Sequence, residues 1–557
     1  MEADQNGVEM NLYGLDLESR QMVIDMVTQL RKKLLTRETI LELDRKELFP
    51  EEIIREMMGP EIGLQLLFIP EEYGGMGGGA RDCCEVTRAM ARICLGVGTA
   101  FFAIHLGADP LIVGGTNEQK ERWLSAIVEG QSLVAYAVTE AGAGSNLAAL
   151  ATKADPVKGD DGDVTGYVIN GSKQFISTGG YADFVTVLAK TPEGPAFFVV
   201  EKGTEGFDQG KGEGKHGIRA SNTSPLTFRD VFVPKENLIG GIPGQGMKQA
   251  NKVFGYTRVM VAAMALGAAD AALDIVIQYA RERIQFGAPL SEKQGYTHKL
   301  VVPHAVRLEA ATAFMEEIAV LLDAGGKDLQ VEGSIAKLFA SEAANRAADD
   351  AMQALGGYGY ISEFEVEKIK RDVKITCIYE GTSEIQQSII STFRWKKTRK
   401  TKGEFYSAMG QEMQTLEGAG VEVGGGMLGL SANALNQLID VAHENRLTRS
   451  QHVMFQLADL MAHVEIGASL ARKADASKKG GDREADKLMA MSRIFAAEVA
   501  RLTVAAIPTV LQGTDKLEKG RVDDLFASMA FDQLARGPKG LINDMDVVAD
   551  ILFERQS

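Results

Sequence analysis

The stretch Ile378-Tyr379-Glu380-Gly381-Thr382 places a carboxylate beside a glycine and a hydroxyl, between two segments with helical patterns. A charged, amphipathic segment precedes it, and Ser383 to Trp395 predicts a helix with Thr382 or Ser383 as its N-cap. Glu380 therefore falls on a tight connection, from which its side chain can point into a cavity. The stretch alone also fits an ordinary turn in which a glutamate favours a helix N-terminus, so its meaning depends on the rest of the chain.

The length and charge of the chain limit the classes of protein to consider. It has 557 residues and a formal net charge of −16, with 45% hydrophobic and 24% charged residues. This length predicts two to four domains, and the composition is typical of a globular protein. The acidic balance argues against a nucleic-acid partner that is held by bulk charge. The most apolar run, Val259 to Ala269, ends at Asp270, short of the roughly 18 residues that span a bilayer. Association with a membrane surface is an open alternative that the acidic carboxyl-terminal segment does not indicate.

The amino terminus and the cysteines bear on localisation and metal binding. Met1 to Asp4 is acidic and has the features of neither a signal peptide nor a transit peptide, so we expect a cytoplasmic protein. The cysteines show no CxxC spacing, the seven histidines no metal spacing, and no HExxH, GxSxG or Walker motif occurs. We therefore expect no metal and no disulfide framework. The four cysteines are Cys83, Cys84, Cys94 and Cys377.

The hydrophobic periodicity predicts a mainly α fold with an inserted β domain, an α+β organisation. The β-rich runs cover 134–139, 167–173, 184–189, 196–201 and 226–233, and Asn170-Gly171 predicts a turn at the end of the second run. Helical patterns precede them, notably 81–94 and 98–113, and the four long patterns after residue 245 are typical of a four-helix bundle. The predicted domains are an N-terminal helical domain at 1–131, a β domain at 132–243, a four-helix bundle at 244–400 and a helical extension at 401–557.

Four further stretches combine glycine, hydroxyl or aromatic residues at the ends of predicted elements. Closely spaced glycines let backbone N–H groups approach a phosphate or a flat ring, but each stretch taken singly also fits an ordinary turn or helix cap. None is a GxGxxG dinucleotide fingerprint in a βαβ unit. They are Thr139–Asn146, Phe175–Gly180, Arg283–Gly287 and Gln353–Gly359.

Seven segments in order resemble the acyl-CoA dehydrogenase family, over about Leu15 to Arg399. That family has a helical domain, a β-barrel-like domain and a four-helix bundle, which is the organisation predicted from periodicity. The segments are IPEEYGGMG at 69–77, AYAVTEAGAGS at 135–145, INGSKQFISTGG at 169–180, 216–223 with 226–234, RIQFG at 283–287, QALGGYGY at 353–360 and IYEGTSEI at 378–385.

The resemblance implies bound FAD and an acyl-CoA substrate in lipid metabolism, at a dehydrogenation step of fatty acid β-oxidation. In the family, a glutamate removes the α-proton while the β-hydrogen leaves as hydride to flavin N5, which gives the trans-2-enoyl-CoA. Glu380 matches that glutamate. Electrons then pass to electron-transferring flavoprotein. The enolate charge is stabilised by a flavin hydroxyl and by the N–H of the glutamate itself, an oxyanion-hole arrangement.

The resemblance also assigns binding roles residue by residue. Ser145 is expected where cofactor and substrate meet, and the residues at 283–357 are expected to hold the adenosine part of the cofactor of a neighbouring subunit. The expected cofactor-binding residues are Tyr136, Val138, Thr139, Gly144, Ser145, Phe175, Ser177, Arg283, Phe286, Gln353, Gly357, Thr382 and Glu384. The expected substrate-binding residues are Ser145, Thr99, Arg258, Tyr379 and Gly381.

Several positions depart from the family pattern. Gly255 stands where many relatives have an aspartate that contacts pantetheine, and Glu384 stands where many have glutamine. Phe175 and Ser177 replace a frequent tryptophan and threonine. Gly98 matches an arginine of the glutaryl-CoA branch, so a distal carboxylate would lack a charged partner. We therefore expect a linear or otherwise apolar acyl chain.

The extension is similar in length and helical character to that of the very-long-chain branch, which is typically dimeric. We expect a homodimer, with a tetramer as the alternative. Two other functions fit the fold: an acyl-CoA oxidase that uses O2, and a non-catalytic or DNA-associated protein. The second depends on a basic surface, which the acidic composition disfavours.

Overall fold

A computed structural model describes the fold of most of the chain. The chain divides into two compact units. The first unit comprises the described parts of Met1–Ala268, Ala319–Gln330 and Arg371–Thr376, and the second those of Ala269–Ile318, Val331–Lys370 and Cys377–Ser557. The acidic segment Met1 to Asp4 lies outside the described residues. The described residues are 14–326, 329–418, 420, 422–513, 515–537 and 539–555.

Five helices open the first unit, and local side chains define several of their ends. Asp16 and Thr36 cap the first two helices by accepting hydrogen bonds from backbone N–H groups, and Thr116 forms a capping box with Gln119. The fourth helix bends at Cys94, which has φ −161° and ψ 113°, so the two helical segments predicted on either side are confirmed. The helices are α1 Leu17–Lys33, α2 Arg37–Lys46, α3 Glu51–Met58, α4 Ala80–Gly114 and α5 Asn117–Val128.

One seven-stranded sheet forms the β part of the first unit. Its strands lie in the order β1-β4-β2-β3-β7-β6, with β5 paired to β4. Strands β1 and β4 run parallel, whereas β3 pairs antiparallel with both β2 and β7. Its apolar core includes Ile169, Phe198 and Phe228. The strands are β1 Val134–Ala137, β2 Lys153–Lys158, β3 Val164–Ser177, β4 Phe184–Thr191, β5 Gly194–Glu201, β6 Phe207–Gln209 and β7 Thr223–Pro234.

The predicted turn at Asn170-Gly171 is wrong. Strand β3 continues through both residues, and the register with β7 shifts between Ile169 and Gly171, which marks a β-bulge. Gly171 has φ +149°, and a Cβ there would lie 2.6 Å from Thr152 Oγ1. The close approach of Thr152, and not a reversal of the chain, therefore explains why position 171 is a glycine. Strands β2 and β6 were not predicted.

The remaining helices run from the end of the β part to the carboxyl terminus. A two-stranded hairpin, β8 Ile284–Gln285 with β9 Ala288–Pro289, follows α6. The described part of the extension is helical, as predicted, and its first helix ends at Gly418 before the next begins at Gly425. The helices are α6 Gly246–Glu282, α7 Gln294–Leu300, α8 Val302–Asp323, α9 Gln330–Leu355, α10 Glu365–Val373, α11 Ser383–Lys400, α12 Glu404–Gly418, α13 Gly425–Glu444, α14 Gln451–Gly480, α15 Ala485–Gln512, α16 Lys519–Ser528, α17 Phe531–Arg536 and α18 Leu541–Phe553.

Within the described part of the chain, three helices have the length and composition to cross a membrane, although the sequence contains no uncharged run of 18 residues. They are α4, α6 and α15. In the most apolar 18-residue segment of each helix, 78%, 72% and 61% of the segment, respectively, is buried inside the structure. Packing inside the protein therefore accounts for most of their apolar surface. The predominance of helix around one inserted sheet confirms the predicted fold class.

Candidate active site

The connection before α11 holds Glu380 in an uncommon backbone conformation. Glu380 has φ +53° and Gly381 has φ +92°, as at the two central positions of a type I′ turn, where φ is positive twice. The left-handed region costs a residue with a Cβ about 1–2 kcal/mol. Such strain clusters at functional sites and persists only where the surroundings hold it in place. The positive φ therefore distinguishes Glu380 from a glutamate that merely precedes a helix.

Two buried side chains hold the carbonyl oxygens of this turn. Lys337 Nζ on α9 donates to the oxygen of Gly381 at 2.7 Å. Gln386 Nε2 on α11 donates to the oxygens of Glu380 at 3.0 Å and Gly381 at 2.9 Å. Both side chains are 0% exposed. A hydrogen bond to a charged group contributes about 1.5–3 kcal/mol, so the bond from Lys337 alone can offset the strain at Glu380.

Further contacts join α9 to the segment around the turn. Ser383 Oγ donates to Glu342 Oε1 at 2.7 Å, and Asn345 Nδ2 lies 3.2 Å from Cys377 Sγ. Thr382 caps α11, because its side chain accepts from the backbone N–H of Ile385 at 3.4 Å. Of the two predicted N-cap residues, Thr382 is therefore confirmed. Cys377 is buried beside α9, and the four cysteines are all free thiols.

A buried ionic cluster, here called the Arg394 cluster, joins α11 to the extension. Arg394 donates to both oxygens of Glu465 at 2.8 and 2.7 Å and to Glu332 at 2.8 Å. Tyr406 donates to Glu465 Oε1 at 2.9 Å. Burial alone would lower the pKa of Arg394, but the neighbouring Glu465 outweighs it and the pKa is raised. The helix that begins at the Glu380 turn is thus anchored to α14 by charges that stay paired.

In the first unit, the ends of β1 and β3 meet. Gln174 N donates to the oxygen of Thr139 at 2.9 Å, and Lys173 Nζ donates to the oxygen of Val138 at 3.1 Å. Two of the segments quoted from the sequence, AYAVTEAGAGS and INGSKQFISTGG, are therefore neighbours in space. The expected cofactor-binding residues Tyr136, Val138, Thr139, Phe175 and Ser177 belong to these two segments.

A buried ion pair supports the glycine-rich loop that follows β1. Lys173 is 1% exposed and donates to Glu140 Oε1 at 2.8 Å, and Glu140 also accepts from the N–H groups of Ala151 and Thr152. Burial lowers the pKa of Lys173 to about 8, against the opposing effect of Glu140. For Glu140, burial acts to raise the pKa, but the hydrogen bonds from Lys173 and its other donors outweigh it, and the pKa is lowered. The carboxylate form is thereby held in the protein.

The outer edge of this junction is open. A Cβ on Gly142 or Gly144 would meet no atom within 4 Å, and Ser145 is exposed. Phe175 is 63% exposed at φ +60°, an uncommon conformation for an aromatic residue. An exposed ring beside open glycines and backbone N–H groups can accept a flat ring and a phosphate group.

The second unit contains a cavity of about 570 Å³ between the hairpin region and α9. Three of the expected cofactor-binding residues, Arg283, Gln353 and Gly357, line it, and the Arg283 guanidinium lies 6.0 Å from the centre of the Tyr358 ring. Phe286 is not part of the lining and is 97% exposed at the hairpin tip. None of the residues 378–384 lines the cavity, so the predicted contacts of Thr382 and Glu384 lie apart from it.

The predicted substrate-channel residues lie on α4 and α6. Arg258 is buried, with its guanidinium 6.0 Å from the ring of Phe254. A Cβ on Gly255 would meet nothing within 4 Å, which leaves the space of the missing aspartate open. A Cβ on Gly98 would meet Met90 Cγ at 3.3 Å. Thr99 is buried, and its Oγ1 has no hydrogen-bond partner among the described residues.

These observations fit FAD, the cofactor that the resemblance implies. In the first unit, an open loop and an exposed ring at a strand junction suit the flavin and its phosphates. In the second unit, a cavity with an arginine and an aromatic ring suits an adenosine group. The structure thus gathers most of the predicted residues into three places: a strand-end group (those within 136–145, with Phe175 and Ser177), a cavity group (Arg283, Gln353 and Gly357) and the Glu380 turn. Thr99, Arg258 and Phe286 belong to none of them.

Sequence reasoning missed four residues that shape these groups. Lys173 and Glu140 lie inside quoted motifs without an assigned role, while Lys337 and Gln386 were not considered. One signal was available for Lys337, which interrupts the apolar run Ile335-Ala336-Lys337-Leu338-Phe339. A lysine on the buried face of a helix requires a polar partner.

Comparison with known proteins assigns the chain to a family. Residues 18–131, 135–231 and 244–393 match the N-terminal, middle and C-terminal domains of acyl-CoA dehydrogenase. The chain is 40% identical to acryloyl-CoA reductase (NADH) of Anaerotignum propionicum, over 63% of this chain and 88% of that protein. It is 39% identical to an acyl-CoA dehydrogenase of Bacillus subtilis (strain 168), over 67% of this chain and 96% of that protein.

A solved structure extends the likeness in fold to the extension. The crystal structure of an acyl-CoA dehydrogenase complexed with FAD from Bacillus anthracis has a TM-score of 0.81 at 24% identity, and covers 97% of this chain and 95% of that chain. Three matching domains, together with relatives covered over most of their length, decide the assignment. The chain therefore belongs to the acyl-CoA dehydrogenase family, a family of FAD-dependent oxidoreductases that act on acyl-CoA thioesters.

Proposed function

We propose that the protein oxidises an acyl-CoA thioester to the trans-2-enoyl-CoA, with Glu380 as the base that removes the α-proton. The observation that carries this proposal is the left-handed turn at Glu380 and Gly381, which buried side chains hold in place. A base must lie within hydrogen-bond reach of the proton that it takes. A strained, fixed backbone supports such a role better than a mobile surface turn does.

In the proposed reaction, the α-proton passes to the Glu380 carboxylate and a double bond forms between the α and β carbons. The bound FAD supplies the acceptor for the β-hydrogen, which leaves with its electron pair. The N–H of Glu380 is proposed to bind the thioester oxygen as its negative charge develops. Tyr379 and Gly381 flank this group, and both are proposed to contact the substrate.

The residues proposed to bind FAD are those of the strand-end and cavity groups. Backbone N–H groups at Gly144 and the hydroxyl of Ser145 would bind the phosphates, and Phe175 would flank the flavin. The adenosine of a second subunit's cofactor would occupy the cavity lined by Arg283, Gln353 and Gly357. This arrangement supports a homo-oligomer, which we propose to be a dimer in the cytoplasm.

We propose a linear or otherwise apolar acyl chain as the substrate. Position 98, where the glutaryl-CoA branch has arginine, is a glycine whose Cβ direction is occupied by Met90. A second carboxylate on the substrate would therefore lack the cation that makes its burial favourable. Electron-transferring flavoprotein is the proposed acceptor, with O2 as the alternative.

An anaerobic titration of the purified flavoprotein tests the substrate class. Saturated acyl-CoAs of graded length, branched acyl-CoAs and glutaryl-CoA are added, and bleaching of the flavin absorbance is followed. Bleaching that peaks at one apolar chain length supports the proposal. Equal bleaching by glutaryl-CoA contradicts the assignment of position 98. Oxygen consumption by the reduced enzyme at the turnover rate contradicts electron-transferring flavoprotein as the acceptor.

A further inference from the structure

We infer that Lys337 and Gln386 are positioning residues for the reaction, because they fix the backbone that carries Glu380. The inference rests on the proposed function of Glu380 as the base. It assigns to two buried side chains, on helices before and after the turn, the task of directing the carboxylate toward the substrate.

The geometry of the hydrogen bonds carries the first step. A carbonyl oxygen marks the orientation of its peptide plane, and the oxygens of Glu380 and Gly381 mark two consecutive planes. Gln386 Nε2 holds both, at 3.0 and 2.9 Å, and Lys337 Nζ holds the second at 2.7 Å. Fixing two consecutive planes fixes both dihedral angles of Gly381 and the position of the bond between Cα and the carbonyl carbon of Glu380. The Glu380 side chain is attached to this Cα, so its placement depends on both donors.

Apolar packing alone does not explain why a lysine occupies position 337 and a glutamine occupies position 386. Lys337 places an ammonium group in a fully buried position on α9, which is unfavourable unless the group is hydrogen-bonded. Gln386 Oε1 is buried and finds no hydrogen-bond partner in the described part of the chain. Rotating the amide by 180° would face this oxygen toward two carbonyl oxygens, so the donors must point at the turn. An apolar residue at either position would avoid the cost of burying a polar group, but it would lose the hydrogen bonds to the turn.

Gly381 is matched to this arrangement. It has φ +92°, and a Cβ there would lie 2.6 Å from Gln386 Nε2. Any larger residue at 381 would therefore both strain the backbone and displace the amide that holds the Glu380 carbonyl. The hydrogen bonds of Gln386 to the turn therefore require glycine at position 381.

The test uses the full-length holoenzyme and an acyl-CoA that bleaches its flavin. Lys337→Met and Gln386→Leu are compared with the wild type and with Lys400→Met, a control at an exposed lysine on α11. Bound FAD, KM, kcat and the anaerobic rate of flavin reduction are measured, the last with normal and α-deuterated substrate. Gln386→Glu provides a second variant if Lys337→Met does not fold. It keeps the shape of the side chain but places a carboxylate, which cannot donate, against the two carbonyl oxygens.

A displaced base slows the proton transfer and leaves binding nearly unchanged. We expect Lys337→Met and both Gln386 variants to retain FAD and a similar KM, while the reduction rate and kcat fall about 10- to 100-fold. The isotope effect from α-deuteration should increase, because proton removal becomes more rate-limiting. A reduction rate equal to that of Lys400→Met would overturn the inference. So would a loss of activity that only parallels a loss of bound FAD.

A parallel Glu380→Gln variant separates this inference from the proposed function. Retained turnover in Glu380→Gln defeats the proposed role of Glu380 itself. An inactive Glu380→Gln together with wild-type reduction rates in Lys337→Met and Gln386→Glu leaves the proposed function intact and overturns only the positioning role.

Discussion

The ammonium of Lys173 donates a hydrogen bond to the Glu140 carboxylate at 2.8 Å, and both side chains are buried. Lys173 also holds the oxygen of Val138 at 3.1 Å. One side chain therefore ties the end of β3 to the end of β1 and to the glycine-rich loop between Glu140 and Asn146. The strand-end group proposed to bind the flavin depends on this pair for its shape.

Removal of the lysine should destabilise the first unit strongly. Lys173→Met leaves the Glu140 carboxylate buried without its cation, and breaking a buried pair costs about 3–5 kcal/mol. The denaturation midpoint in urea should fall accordingly, and bound FAD should decrease because the loop loses its support. Lys190→Met, at an exposed lysine on β4 of the same sheet, should change the stability by no more than about 0.5 kcal/mol. Equal stabilities of the two variants would contradict the role of the pair.

The same pair predicts a dependence of stability on pH. The pKa of Glu140 is lowered in the folded protein, so its stabilising contribution is complete above the unfolded pKa of about 4.3. The contribution is lost as the pH falls through the lower folded pKa. The difference in unfolding free energy between the wild type and Glu140→Gln should therefore be largest near neutral pH and shrink in acid. A difference that grows as the pH falls would show that Glu140 is not held as a carboxylate.

The Arg394 cluster should govern the stability of the second unit. Arg394→Met leaves Glu465 buried without its main partner, with an expected loss of about 3–5 kcal/mol. Tyr406→Phe removes one hydrogen bond to a charged group, for an expected loss of about 1.5–3 kcal/mol. Arg399→Met is the control, because Arg399 pairs with Asp440 at an exposed site, where pairs contribute about 0–1 kcal/mol. If Arg394→Met unfolds at the same denaturant concentration as Arg399→Met, the cluster does not anchor α11.

The bulge in β3 gives a sharp test of local packing. In Gly171→Ala, the new Cβ would lie 2.6 Å from Thr152 Oγ1 and 2.7 Å from Thr152 Cα, so one chain must move. Overpacking of this kind costs about 1–3 kcal/mol. Gly214→Ala, where a Cβ meets no atom within 4 Å, is the matched control and should unfold like the wild type. A tolerated Gly171→Ala would indicate that the residue needs no special backbone.

Much of the fold was predictable because its signals are local. Apolar periodicity indicated that the extension is helical, and the helical pattern broke near Cys94, where α4 bends. Strand β2 escaped prediction because Lys153 to Lys158 mixes charges with a proline, and its place depends on pairing with β3. The Asn170-Gly171 dipeptide was misinterpreted as a turn, because the glycine is required by the approach of Thr152, which precedes β2 and is distant in sequence.

The candidate site was predictable only in part. Glu380 and the strand-end residues came from resemblance, and the structure brings Thr139 and Gln174 together. The hydrogen bonds from Lys337 to Gly381 and from Lys173 to Glu140 join residues that are 44 and 33 positions apart. No local pattern encodes such pairs, because each forms only when separate elements pack. The positive φ at Glu380 is likewise not encoded by its residue type.

The most direct test of the central claim is the anaerobic reduction of the flavin in Glu380→Gln. The wild type, this variant and Glu404→Gln, at an exposed glutamate on α12, are each mixed with the acyl-CoA that bleaches the wild type best. We predict that all three bind FAD, that the wild type and Glu404→Gln bleach, and that Glu380→Gln does not bleach on the time scale of turnover. Bleaching of Glu380→Gln at the wild-type rate would contradict the assignment of Glu380 as the base.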